Sequence, residues 1–337
     1  MRIAFASGKG GAGKTTVAAS LAVVWPRPCL IVDADVEAPN LHLFLQPDLD
    51  AAQAVYLTVP ELDAEKCTAC GACADMCAYK AIAMLGGKPT IFADMCHGCG
   101  GCFEVCAPAA LNRGQRELGS LQWGRWNLNP DREQALLMGK SRVGEAMSPP
   151  LLRALERAFA SPACKDAVDG PDILIDSPPG VSCPAMTTAR MADALVLVAE
   201  STPFGMYDFK LAHAAFKKLG LSLTVVMNRA GMPGNQAGDA ALERYCAAEG
   251  LPLLARLPFD MQAAEGYARG NLPPLGPGDN GRAWRGRFES LQQALCRWIG
   301  GQPWPDLADT AQQPETAAQT RAERLCDGQG AAEARHA

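Results

Sequence analysis

Between Cys67 and Cys106 the chain repeats one spacing twice: Cys67, Cys70, Cys73 and Cys77 are answered by Cys96, Cys99, Cys102 and Cys106, each quartet reading C-x2-C-x2-C-x3-C. A structural core has no use for so many cysteines at one period, so this stretch must fold around something its thiolates hold. Three thiolates stepped three residues apart let one tight loop reach three corners of an iron–sulfur cubane, while the fourth, set on the following helix, faces the other cluster. The spacing therefore predicts two [4Fe–4S] clusters with crossed ligand sets: Cys67, Cys70, Cys73 and Cys106 for one, Cys96, Cys99, Cys102 and Cys77 for the other. Zinc sites would want cysteines in separated pairs, and disulfides an oxidising compartment that nothing else in the chain suggests. His97 reads as a loop residue, since the cysteines already fill every ligand position.

This module resembles the bacterial two-cluster ferredoxins. It departs from them at the residue after each fourth cysteine, where they carry proline: Ala78 follows Cys77, and Ala107 follows Cys106 with Pro108 one place late. The departure bears on the reduction potentials rather than on the clusters.

A second motif opens the chain. Ile3-Ala4-Phe5-Ala6 is a short apolar strand, and Val17 to Val24 has a helical pattern; between them lies Gly8-Lys9-Gly10-Gly11-Ala12-Gly13-Lys14-Thr15-Thr16. Strand, G-x4-G-K-T and helix in that order are the context of a phosphate-binding loop. Its glycines let successive N–H groups curl round phosphates at a helix N-terminus, with Lys14 on the β/γ-phosphates and the Thr15 hydroxyl on Mg²⁺. With its second lysine, Lys9, the loop resembles the deviant form found in the ATPase family of MinD, the ParA partition proteins, the Mrp-type cluster carriers and the nitrogenase iron protein. In that family the extra lysine crosses a dimer interface, so the resemblance implies an ATP-dependent homodimer through Lys9; the alternative is a solvated loop charge.

Two apolar strands end in carboxylates. Leu30-Ile31-Val32 runs into Asp33-Ala34-Asp35, and Ile173-Leu174-Ile175 into Asp176-Ser177-Pro178-Pro179-Gly180. A carboxylate at the C-terminal end of a parallel strand enters the crevice beside such a loop. Asp176 is placed to reach Mg²⁺, and Gly180 lets the backbone approach the γ-phosphate. By resemblance to the family's switches, Asp35 orients the attacking water, with Asp33 as a metal-side or capping residue. Cys183 sits at an offset similar to that of a switch cysteine which ligates a shared cluster in the nitrogenase iron protein; the alternatives are contact with an incoming cluster and an inert buried thiol. Cys164 stands in the wrong place to be its companion. By the same resemblance Asn228, ending the strand Leu223–Met227, reads adenine, and Leu257-Pro258-Phe259-Asp260 packs Pro258 beside the base. Glu200–Gly205 looks like the segment after the family's fourth core strand.

These motifs predict an α/β fold, a mostly parallel doubly wound sheet interrupted by a small α+β ferredoxin domain. The nucleotide domain occupies residues 1–50 and 118–300, the insert 58–115, and residues 301–337, rich in Ala, Gln, Glu and Pro, read as a disordered tail. Residues 112–135, with Arg113, Arg116, Arg125, Arg132, Trp123 and Trp126, read as a basic aromatic return linker that covers the cluster domain or docks an acidic partner, with nucleic-acid contact as the alternative. Ser148 is placed to cap a helix starting near Leu151, and a further helix is expected over Tyr207–Leu219.

The net charge of −5 gives no support to a general nucleic-acid surface. No apolar run is long enough for a membrane span, the N-terminus leaves no room for a signal peptide before the loop, and fourteen cysteines without an export signal imply a reducing cytoplasm. Three functions remain open. The leading one is an Mg²⁺-dependent ATPase coupling a nucleotide-switched homodimer to electron transfer through the two clusters, with an unknown redox partner. The second is a cluster carrier of Mrp type, which would want a C-x-x-C pair outside residues 67–106 that the chain lacks. The third is a ParA- or MinD-like positioning ATPase with the clusters as a redox sensor, although the amphipathic membrane-targeting tail of MinD is missing.

Overall fold

A computed structural model of the chain describes residues 1–129, 132–145, 147–161 and 172–301. Cys164 and residues 302–337 of the expected tail lie outside the described residues.

In chain order the first elements are β1 (Arg2–Ala6), α1 (Lys14–Val24), β2 (Cys29–Asp33), α2 (Leu41–Leu45), β3 (Asp48–Leu49) and β4 (Gln53–Leu62). The insert follows with α3 (Ala72–Met76), β5 (Ile82–Leu85), β6 (Lys88–Ile91) and α4 (Gly101–Glu104). Then come β7 (Leu111–Asn129), β8 (Arg132–Ser141), α5 (Pro149–Ala160), β9 (Asp172–Asp176), α6 (Cys183–Ala189), β10 (Ala194–Glu200) and α7 (Pro203–Lys217). The chain closes with β11 (Ser222–Ala230), α8 (Gln236–Glu249), β12 (Leu253–Pro258), α9 (Met261–Ala268) and α10 (Gly278–Ile299).

The strands form one sheet in the order β12-β11-β10-β1-β9-β2-β8-β7-β3, with β4 also on β7. Neighbours from β12 to β8 are parallel. Near-continuous apolar runs such as Ile3–Ala6 and Leu195–Val198 are what burial on both faces requires, and their side chains divide by parity between two cores. Ala4, Leu30, Ile175 and Leu197 face α5, α6, α7 and α8 through Leu155, Ala189, Phe216 and Leu242. Ile3, Phe5, Ile31 and Leu174 face α1 and α10 through Leu21, Phe288 and Leu295. The result is the expected doubly wound α/β sheet, which puts the loops after β1, β2 and β9 at one end.

The return linker does not exist as such. Residues 111–129 are one long strand: its first half pairs antiparallel with β4, from Leu62↔Leu111 to Gln53↔Leu121, and its second half pairs with β8. The insert therefore grows from the tip of a β4–β7 ribbon that is part of the main sheet. Trp126 is buried in the core beneath it, while Arg113 lies 4.9 Å over the Phe103 ring of the insert. The expected helix over Tyr207–Leu219 begins earlier, because Thr202 caps it by accepting from the Gly205 N–H at 3.2 Å and Pro203 occupies its first turn. Ser148 stands at the N-cap of α5 but makes no cap; its hydroxyl donates instead to Glu37 Oε1 at 2.6 Å.

Candidate functional site

The loop after β1 is held in a form only glycine tolerates at two places. Gly13 has φ 93°, and a Cβ there would fall 2.1 Å from Asn228 Nδ2; at Gly8 a Cβ would fall 2.1 Å from the Asp208 carbonyl oxygen. The backbone beyond is led into α1, whose first residues are Lys14 and Thr15. Both are buried, at 7% and 8% exposure, and both meet the end of β9: Lys14 Nζ lies 3.5 Å from Asp176 Oδ1, and Thr15 Oγ1 donates to Asp176 Oδ2 at 2.6 Å. The loop after β9 is stitched to the same place, since the Gly180 N–H donates to the Ser7 carbonyl at 2.9 Å and Gly180 has φ 80°. Lys14, Thr15, Asp176 and Gly180 thus converge on one place.

The two aspartates at the end of β2 and just beyond it have different jobs. Asp33 is fully buried and accepts from the N–H groups of Asp35, Asn40 and Leu41 at 3.2, 2.9 and 2.9 Å, so it organises the loop rather than facing the phosphates. Burial, with the Asp176 charge behind it, raises its carboxyl against the pull of those donors. Asp35 is only partly buried; burial, then Asp176 and Glu37, push it up to about 6, against the pull of Lys14. A carboxylate at that value, in that loop, is suited to take a proton near neutral pH.

Lys9 is not free in the single chain. Its Nζ pairs with the nearly buried Glu200 at 3.1 Å, and Arg229 pairs with the same carboxylate oxygen at 3.1 Å. Beside the loop opens a cavity of about 300 Å³ lined by Gly11, Thr16, Asn228, Pro258, Tyr267 and Phe288 among others. Asn228 lines it, and its amide nitrogen donates to the Ala12 carbonyl at 2.8 Å, so it braces the loop. Sequence reasoning missed Tyr267, which stacks on Phe44 at 4.6 Å and bonds Thr16. It also missed the anchoring of Asp260, which caps α9 and accepts from Trp284 Nε1 at 2.8 Å; the D-x-x-A start of α9 was the signal available. Cys183 is the exposed first residue of α6, which argues against an inert buried thiol.

In the insert, Cys67, Cys70, Cys73 and Cys106 line one small cavity with Pro89 and Pro108. Cys96 and Cys99 surround Cys102 closely enough to act on its thiol electrostatically. The two halves repeat in detail. Ala69 and Gly98 donate N–H bonds at 3.4 Å to Cys67 and Cys96 Sγ, and Ala81 and Ala110 donate at 3.2 and 3.3 Å to Cys77 and Cys106 Sγ. Three non-glycine residues here, Ala69, Lys80 and Ala109, sit in the left-handed region with φ 57°, 54° and 51°. Each such residue costs about 1–3 kcal/mol and persists where the surroundings impose it, a mark of functional loops. Burial raises the Cys73 and Cys102 thiols, and neighbouring cysteines raise them further. Packed thiolates of this kind are relieved by a positively charged core and by N–H donors, so the donor set fits a [4Fe–4S] group. Among the described residues no three His, Cys, Asp or Glu side chains converge as they would on a metal ion. His97 stacks on Tyr79 at 3.6 Å, a role in packing rather than ligation.

Comparison with known proteins agrees with the fold. The chain is 22% identical to the septum site-determining protein MinD of Pyrococcus horikoshii OT3, whose structure holds Mg-ADP, with a TM-score of 0.52 over 89% of this chain and 97% of that one. Cell division ATPase MinD of Pyrococcus furiosus gives 23% identity and a TM-score of 0.51 over 88% and 98%. Closer in sequence are two Methanocaldococcus jannaschii proteins. Uncharacterized protein MJ0578 is 32% identical over 235 residues, 69% of this chain and 79% of its own length, and MJ0579 is 25% identical over 273 residues, 80% and 90%. Among the described residues no helix is long and apolar enough to cross a membrane. The family model for the CobQ/CobB/MinD/ParA nucleotide binding domain matches residues 3–274, across the loop, both carboxylate-ended strands and most of the cavity lining, and the chain belongs to that family.

Proposed function

We infer that this protein is an Mg²⁺-dependent ATPase of the MinD/ParA kind, a nucleotide-switched homodimer whose inserted module carries two [4Fe–4S] clusters as a redox sensor. One observation carries the nucleotide half: buried Lys14 and Thr15 meet Asp176 in front of a glycine loop that opens onto the cavity of about 300 Å³. Lys14 would neutralise the terminal phosphates, Thr15 and Asp176 would hold Mg²⁺, and Asp35 would orient the attacking water and take its proton. The metal supplies charge neutralisation at the phosphates. The glycine-loop N–H groups, with Gly8, Gly10, Ala12 and Thr16, would hold the phosphate chain, and Asn228 and Pro258 the base. Lys9 is held by Glu200 in the single chain, and in the dimer it would leave that carboxylate for the partner's nucleotide.

In the insert, Cys67, Cys70, Cys73 and Cys106 would hold one cluster and Cys96, Cys99, Cys102 and Cys77 the other. Clusters supply one-electron redox chemistry. The positioning reading is favoured by the MinD-like fold, and the septum-siting and cell-division functions in those relatives' names point the same way. Electron transfer is the second reading, favoured by the paired halves of the insert, since two equivalent cluster sites are more than a single sensor needs. Replacing Lys14 by Ala should lower phosphate release by roughly 10²-fold or more, the scale of losing a charge that stabilises the transition state, while iron content is unchanged. To separate the two readings, phosphate release is measured in air-free oxidised and dithionite-reduced protein: a rate that changes with redox state supports the sensor, and an equal rate with reversible reduction supports the electron carrier.

A further inference from the structure

The insert and the nucleotide loop after β2 touch the same short piece of chain. Ser141, the last residue of β8, donates its N–H to the Val36 carbonyl at 2.7 Å, and Val36 is one residue past Asp35. Its neighbour Arg142 bonds Asp94 Oδ1 at 3.1 Å, two residues before Cys96. A few residues on, the pattern repeats in more buried form. Glu145 pairs with Arg116, with both side chains almost wholly buried, and the Arg116 guanidinium donates to the Cys96 carbonyl at 3.2 Å. The other Glu145 oxygen accepts from the Met147 N–H at 3.0 Å, and the next residue, buried Ser148, donates to Glu37 Oε1 at 2.6 Å.

The register of this contact is firm at both ends. Gly139 lies so close beneath Val36 that a Cβ on it would fall 2.7 Å from Val36 Cγ1, and β8 is fixed in the sheet against β2. A buried ion pair contributes little net stability after its desolvation cost, and its best attested use is to fix one arrangement against others. Here the arrangement it fixes joins the carbonyl of a cluster-loop cysteine to the helix start that grips Glu37. Two discrete states at the Glu37 end would therefore be felt at Cys96.

We propose that Ser141–Glu145 and Met147–Ser148, through the Arg116–Glu145 pair and the Ser148–Glu37 bond, act as a bridge that transmits nucleotide occupancy at the Asp35 loop to the Cys96 loop, with Arg116 and Ser148 as positioning residues. It rests on the switch role assigned above to the loop carrying Asp35. Coupling is reciprocal, so the same bridge carries the state of the Cys96 loop back to the nucleotide. Among the described residues no hydrogen bond or ion pair joins Cys67–Cys73 to the Asp35 loop or to the bridge, so the effect is confined to one half.

Hydrogen exchange on the full chain, purified without air, tests this with and without Mg-AMPPNP. In the unaltered protein the nucleotide is expected to change exchange in residues 94–98 by about fivefold, the lower end of typical site-to-site coupling, and to leave residues 67–73 unchanged. Ser148→Ala removes the Glu37 bond with little risk to folding, and Glu145→Gln removes the charge in the middle; each should weaken the response at 94–98 while Mg-AMPPNP still binds, the Ser141–Val36 and Arg142–Asp94 bonds remaining. A response undiminished in both variants, or one of equal size in both cluster loops, overturns the bridge. Binding of Mg-AMPPNP with no response in the unaltered protein overturns the bridge alone, whereas failure to bind it overturns the nucleotide reading as well; neither outcome depends on the clusters, whose presence is read separately from bound iron.

Discussion

At the scale of single residues the nucleotide site is built from charges that hold one another in check before any ligand arrives. Asp176 takes the Lys14 ammonium and the Thr15 hydroxyl together, and Asp35 stands at the rim with its carboxyl pushed up to about 6, mainly by burial. If Asp35 takes the proton from water, phosphate release should rise as pH increases through about 6 and level off above it. The nucleotide-free protein should show the opposite trend in the stability this group contributes. The folded chain holds the proton more tightly than the unfolded chain does, so that contribution is present below the ordinary carboxyl value of 3.8 and is lost as pH rises through about 6. In Asp35→Asn the acid limb of the rate profile should vanish, leaving a slow rate independent of pH; a limb that survives would assign it to another group. The cysteines offer a second check. Because Cys106 lines the cavity of Cys67, Cys70 and Cys73, Cys106→Ala and Cys67→Ala should remove the same cluster, as seen in the spin-resonance spectrum of the reduced protein, and Cys77→Ala the other one. If Cys106→Ala and Cys96→Ala instead match each other, the ligand sets are not crossed.

The elements show what the sequence displayed and what it concealed. The strand–loop–helix at the N-terminus and the apolar strands ending in Asp33 and Asp176 were legible because a two-sided buried strand must be apolar throughout and must end where its polar residues begin. β7 was not legible. Along it Gly114, Arg116 and Leu118 are buried while Arg113, Gln115 and Glu117 are exposed, a true period of two, but an arginine in the buried series disguised it as a basic linker. Arg116 is there because Glu145 and the Cys96 carbonyl receive it, partners too distant in sequence to be guessed. Ser148 misled for a related reason: its type suited a cap, yet Glu37 from another loop claimed its hydroxyl. The ribbon has a practical consequence. β4 and β7 stay paired to their tips, with the Asp63 N–H on the Ala110 carbonyl at 2.8 Å, so residues 64–109 can be replaced by an Asn-Gly turn of the kind that closes two-residue hairpins. The shortened chain should keep Mg-nucleotide binding and its cooperative thermal unfolding while bound iron falls to background. Loss of nucleotide binding together with iron would mean that the insert is needed to fold the sheet.

Across the whole molecule, a doubly wound nucleotide domain of the CobQ/CobB/MinD/ParA family carries its cysteine module on an extension of its own sheet. Besides the β4–β7 ladder, a chain of bonds leads from Asp94 and Cys96 through Arg142, Arg116, Glu145 and Ser148 to Val36 and Glu37, next to Asp35. That placement lets the state of one site bias the other without a flexible hinge between them. The cysteine spacing and the phosphate loop each spoke plainly in the sequence, but their connection lies in Arg116, Glu145, Ser148 and Glu37, ordinary polar residues with no motif of their own. Whether one chain holds both a nucleotide and two cubanes is read by counting iron and bound Mg-ADP on the same anaerobically purified sample. About eight irons with about one nucleotide per chain is the expected result; zinc in place of iron, or iron well short of that number with nucleotide fully bound, would contradict it.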